Sequence, residues 1–109
     1  MTIITNDAWW GDTPGYRQHL SYASLRAIET RRAIARCANT GISAIISPSG
    51  KILQPTPWWE PAEIKSQIPL RSDMTFFVRH GDIIGRICTF VFELLLLALI
   101  VRFVTRRKE

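Results

Sequence analysis

The stretch "TNDAWWGD" (residues 5–12) decides how this chain is read. An amide, two acids and two adjacent indoles within eight residues have the composition of the lip of a site. The residues leading into it, "TIIT" (2–5), are β-branched and favour a strand. Asn6-Asp7 ends that strand, because short polar side chains hydrogen-bond nearby backbone and favour turns. Beyond the stretch, Thr13-Pro14 starts a helix. Thr13 is placed as N-cap and Pro14 at the first helical position, where its missing N–H costs nothing. At about 100° per residue, Tyr16, Leu20, Ala23, Ser24, Ala27 and Ile28 fall on one arc. Most of them are small, so this helix can lie close against a sheet.

Further out, "AIARCA" (33–38) is a predicted strand punctuated by Asn39-Thr40-Gly41. "ISAIIS" (42–47) and "KILQ" (51–54) flank Pro48-Ser49-Gly50, a hairpin signal with Pro and Gly at turn positions. "TPWWEPAE" (56–63) reads as a loop bounded by prolines. "IKSQIPL" (64–70) reads as a weaker strand, placed at an edge because Pro69 cannot donate to a ladder. Residues 83–104 are mainly aliphatic and aromatic, and at 1.5 Å each they span about 33 Å, enough to cross a bilayer core of about 30 Å. Arg102, Arg106, Arg107 and Lys108 close the chain. The positive-inside bias therefore predicts a cytoplasmic C-terminus and an outer location for everything before Ile83. The expected organisation is α/β throughout residues 1–75, an interfacial connector at 76–82, a transmembrane helix at 83–104 and a basic tail at 105–109.

Two charges lie within the span. Arg86 is one turn from its end and can snorkel. Glu93 lies near mid-membrane, where an ionised carboxylate is costly unless paired or neutralised. Its spacing from Arg86 puts both on one helical face, predicted to pack against other helices.

The net charge of +5 permits nucleic-acid binding, but its distribution opposes it. Arg26, Arg31, Arg32 and Arg36 fall on the helix and the strand after it, the other cluster follows the apolar segment, and no recognition motif accompanies either. The two cysteines form no Cys-x-x-Cys pair and the two histidines lie far apart, so neither a disulfide framework, a metal site nor any cofactor is expected. Cys37 and Cys88 read as buried, inert thiols. No charged segment followed by an apolar run opens the chain, so no signal peptide is read there.

Five pieces in order, Asn6-Asp7-Ala8-Trp9-Trp10-Gly11, Gln18-His19, Arg26-Ala27-Ile28-Glu29, Asn39-Thr40-Gly41-Ile42-Ser43 and the terminal apolar helix with its basic tail, resemble the C-terminal part of the bacterial apolipoprotein N-acyltransferase family. The resemblance covers essentially the whole chain. It implies part of a nitrilase-type (carbon–nitrogen hydrolase) α-β-β-α sandwich followed by one transmembrane helix, with the soluble part on the outer face of the inner membrane. It also implies an activity: an acyl chain passes from a phospholipid donor to the N-terminal diacylglyceryl-cysteine of a lipoprotein, through a thioester on an enzyme cysteine. In that scheme a Glu acts as base and a Lys stabilises the oxyanion.

All three catalytic residues would lie before Met1, so the chain is expected to contain none, to be inactive alone and to need the N-terminal portion of the enzyme as partner. Asn6 and Trp9 are expected to line the acyl or thioester pocket. Trp10 shares that rim or, with Trp58 and Trp59, serves as interfacial anchor or core. His19 contacts substrate or packs as a structural histidine. Glu29 on "RAIET" reads as a structural partner of Arg26 or Arg32 rather than as a base. An alternative from another class is a small membrane-anchored interaction protein, or one subunit of a split enzyme; a soluble amidase relative fits least, given the apolar helix.

Overall fold

The computed structural model describes residues 1–106; Arg107 and Lys108 of the expected basic tail lie outside them. It divides into two units, Met1–Val78 and the chain from Arg79 onward. In the first, β1 (Thr2–Asn6) leads through a 3-10 turn (Ala8–Trp10) into α1 (Gly15–Thr30), and β2 (Ile34–Asn39), β3 (Ala44–Ile46) and β4 (Ile52–Pro55) follow. The four strands form one sheet in the order β1-β2-β3-β4. β1 and β2 run parallel, in register from Thr2 opposite Ala35 to Asn6 opposite Asn39. β2, β3 and β4 are antiparallel neighbours, the last pair joined by the turn at Pro48-Ser49-Gly50.

Strand alternation assigns the two faces. Ile3, Arg36 and Ala44 share one face in register, as do Ile34 and Ile46, and α1 covers it. Leu20, Ala23 and Ala27 of α1 meet Ile34, Ala44 and Ile46 there, with Ile3 and Ile42 packed at the margin. Alanine at positions 23, 27 and 44 lets helix and sheet approach closely, as the small residues of the arc predict. Ile28, also on that arc, is half exposed, its tip against the Gly50 turn, where a Cβ would come within 2.7 Å of it. Gly50 has φ +83°, so glycine suits both the turn and the contact.

The other face carries Ile4, which is 83% exposed, in register with Cys37. Cys37 is therefore exposed rather than buried: the strand's period of two points it away from α1. Residues 64–70 form no strand, since Pro61 and Pro69 remove donors around a mostly exposed polar run. The helix begins one residue later than expected: Pro14 already has helical angles and Thr13 Oγ1 accepts a 3.4 Å bond from the Gly15 N–H.

A short helix, α2 (Phe76–His80), follows, and Thr75 fixes where it starts. The Thr75 hydroxyl donates to the Glu29 carbonyl at 2.5 Å and accepts from the Val78 N–H at 3.2 Å.

In the second unit α3 runs Ile83–Arg106, 24 residues with a mean hydropathy of 2.5 in its most apolar window. It is about 36 Å long. Among the described residues it is the one helix long and apolar enough to cross a membrane. Asp82 caps it, accepting the Gly85 N–H at 2.8 Å. Arg86, Thr89, Phe90 and Glu93 lie along one side of α3. Cys88 is exposed on the surface of this helix, not buried among protein atoms.

Candidate functional site

The opening stretch leaves the sheet at the C-terminal ends of the parallel pair β1 and β2, where open α/β sheets place ligands. What holds it there is Asp7. Its side chain is buried, and each carboxylate oxygen is engaged: Arg36 Nη2 donates to Oδ2 at 2.8 Å, while Oδ1 accepts the Thr5 hydroxyl at 3.1 Å and stands 2.9 Å from His19 Nδ1. The Asp7 N–H donates to the Asn39 carbonyl at 3.2 Å, continuing the ladder one residue past the strand. Arg36, also buried, donates in addition to the Ile42 carbonyl, and among the described residues its Nε is left without an acceptor.

Burial acts to raise the Asp7 pKa, but the bond and charge of Arg36 and the bonds from His19 and Thr5 outweigh it and hold the carboxyl below its ordinary 3.8. An ionised carboxylate with both oxygens occupied is a poor general base. Asp7 is an anchor.

Of the residues expected on the rim, His19 touches this anchor through its side chain. Asn6 Oδ1 accepts the Ala8 N–H at 3.1 Å and the Asn39 side-chain amide at 3.5 Å, so the two asparagines close the ends of β1 and β2 together. Trp9 is 85% exposed. Trp10 lies over Gly15, where a Cβ would come within 2.5 Å of its ring, and its ring centroid is 6.4 Å from that of His19. His19 thus bridges the Asp7 carboxylate and the Trp10 ring. Arg26 Nη1 and Glu29 Oε2 stand 2.8 Å apart, one turn from the end of α1. Trp58 stacks on Tyr16 with centroids 5.1 Å apart, packing the 56–63 loop onto α1.

Known sequences match this chain. The carbon-nitrogen hydrolase family model matches residues 1–72, the whole sheet and α1 included. The chain belongs to the carbon–nitrogen hydrolase family. Apolipoprotein N-acyltransferases are among its relatives: that of Chlorobaculum tepidum is 39% identical over 102 residues, which is 94% of this chain and 19% of that protein. The one from Haemophilus ducreyi is 40% identical over 81 residues, 74% of this chain and 16% of the relative. In Sinorhizobium fredii the identity rises to 58% over 50 residues, 46% of this chain and 9% of the relative. The chain thus spans a fifth or less of the length of these relatives.

Within this carbon–nitrogen hydrolase segment, sequence reasoning missed three residues that shape the site. Asp7 reads as a turn former and Arg36 as one of several scattered cations, yet together they are the buried pair. A signal was available: Arg36 lies two residues after Ile34, on the same inward face of the strand, and an inward arginine requires a buried anion. Gly41 is the third. A Cβ there would lie 2.1 Å from Asp7 Oδ2 and 2.6 Å from its Cγ, so "NTG" leaves the space that the carboxylate fills.

Proposed function

We propose that this chain is a portion of an apolipoprotein N-acyltransferase, the enzyme that moves an acyl chain from a phospholipid through a cysteine thioester to the amino group of a lipoprotein's diacylglyceryl-cysteine. The observation that carries the reading is 39% identity along 94% of the chain to a protein of that name, of which it covers 19%. On this reading the nucleophile, base and oxyanion-stabilising residues come from the remainder of the enzyme. Asn6, Trp9, Trp10 and His19 contribute to the rim of the pocket, and Asp7 with Arg36 fixes where that rim leaves the sheet. α3 is the membrane span, with Arg86 and Glu93 facing neighbouring helices, the α/β unit in the periplasm and the C-terminus in the cytoplasm of a bacterial inner membrane. The exposed sheet face bearing Ile4 and Cys37 supports a partial sandwich, because an apolar face of this kind needs a second layer.

The test is a chimera. Replacing the matching 102 residues of the Chlorobaculum tepidum relative with this chain is expected to preserve phospholipid-dependent N-acylation of a diacylglyceryl-cysteine peptide. A chimera that inserts and folds yet transfers no acyl group would overturn the reading. So would the isolated chain forming a hydroxylamine-labile acyl adduct on Cys37 from labelled phospholipid, since that would place the nucleophile inside this segment.

A further inference from the structure

A second cleft, of about 650 Å³, opens at the C-terminal end of α1, where Ile28, Glu29 and Arg31 face side chains of the 71–77 segment. It is separate from the rim around Asp7, since from His19 to Ile28 the helix rises about 13 Å. Its two walls are tied together. The Thr75 hydroxyl donates to the Glu29 carbonyl at 2.5 Å, and Arg32 Nη2 donates to the Ser72 carbonyl at 3.5 Å. Arg31 closes α1 in the left-handed conformation, with φ of 50°.

Two properties of the walls decide what the cleft can hold. The first is charge. Glu29 is engaged by Arg26 at 2.8 Å, so among the described residues Asp73 is the one acid of the lining outside an ion pair. Against it stand Arg31, Arg71 and, behind the wall, Arg32, whose buried Nε has no acceptor among the described residues. A guanidinium presents a planar fork that matches phosphate oxygens. The second property is exposed apolar surface. Met74 is 53%, Phe76 68% and Phe77 36% exposed, and only Gly81 and Asp82 separate α2 from the apolar α3. Contiguous exposed apolar side chains mark surfaces that meet a membrane or a partner, and aromatics favour the bilayer interface. A free anion would use the arginines and leave the phenylalanines in water. An apolar protein segment would cover the phenylalanines and strand the arginines. A lipid of net negative charge satisfies both.

We propose that this cleft seats the headgroup of an anionic phospholipid, with Arg31 and Arg71 on its phosphate and Met74 and Phe77 against its glycerol and upper acyl carbons. This lipid is distinct from an acyl donor at the Asp7 rim, which lies toward the other end of α1. The proposal rests on reading α3 as a membrane span and does not depend on acyl transfer.

The test uses the full chain, 15N-labelled, in nanodiscs. Entry into phosphatidylcholine discs checks the span, and a chain that stays out of them would overturn the reading of α3 and this proposal with it. Replacing part of the phosphatidylcholine with phosphatidylglycerol is expected to shift the Thr75 and Phe77 amides and the Arg71 Nε–H resonance, saturably with the phosphatidylglycerol fraction. The Gly41 amide, beside Asp7, should stay unmoved. Arg31→Gln or Arg71→Gln should each raise the fraction at half-response about fivefold, while Arg17→Gln, near the start of α1, leaves it unchanged. If the chain sits in the discs and phosphatidylglycerol moves neither Thr75 nor Phe77, the proposal fails and the cleft belongs to a protein segment. The same shifts produced by inorganic phosphate in phosphatidylcholine discs would equally overturn it, in favour of a free anion. The lipid comparison uses the unaltered chain and so decides the matter even if an arginine variant misfolds.

Discussion

Asp7 shows how one side chain organises the opening stretch. Arg36 is buried beside it, so removing the carboxylate charge strands a cation away from water. Asp7→Asn is therefore expected to destabilise the α/β unit by about 3–5 kcal/mol, read as a drop in urea midpoint in detergent. The pH dependence has a definite sign. Because the folded pKa of Asp7 lies below its ordinary 3.8, the stabilisation is complete above that value and is lost as pH falls through the lower folded pKa. Unfolding followed from pH 6 downward should show this loss below about pH 4 in the unaltered chain, and Asp7→Asn should flatten it. Gly41→Ala tests the same contact from the other side. Its methyl would lie 2.1 Å from Asp7 Oδ2, forcing the carboxylate off Arg36, at a cost of about 1–3 kcal/mol measured by thermal unfolding.

At the scale of elements, the strand-turn-helix-strand order and the hairpin were legible because each rests on local rules: β-branched runs, Pro14 near the helix start, glycine and proline at the hairpin. The weak strand at 64–70 was misread. Its apolar residues are too few to bury a face, and Pro61 before it and Pro69 within it remove ladder donors. The core-facing strand positions carry the stability. Ile46→Ala, in the fully buried centre against α1, is expected to cost about 2–5 kcal/mol, while Leu53→Ser on the exposed β4 should stay within about 0.5 kcal/mol. In the chimera, Glu93→Leu should insert as well as the parent but lose acyl-transfer activity if its face packs on neighbouring helices. Unchanged activity would put that face in lipid.

The whole molecule exposes more apolar surface than one α/β layer can hide. The sheet is covered by α1 on one face and bears Ile4 on the other, and β1 and β4 are both edges. Hydrogen exchange of the full chain in detergent should accordingly protect the amides of β2, β3 and α1 and exchange residues 60–73 rapidly. Uniform protection across those regions would mean a partner layer is supplied by self-association. By itself the sequence determined the class of fold, the apolar helix and the family, because these follow from periodicity, length and motifs read along the chain. Only the tertiary structure decided that Asp7, Arg36 and Gly41 form one buried cluster with the partly exposed His19 at its edge. The pairing of Asp7 with Arg36 joins residues 29 apart in sequence, and no local rule chooses among many possible acids and bases until parallel register brings two strand ends together.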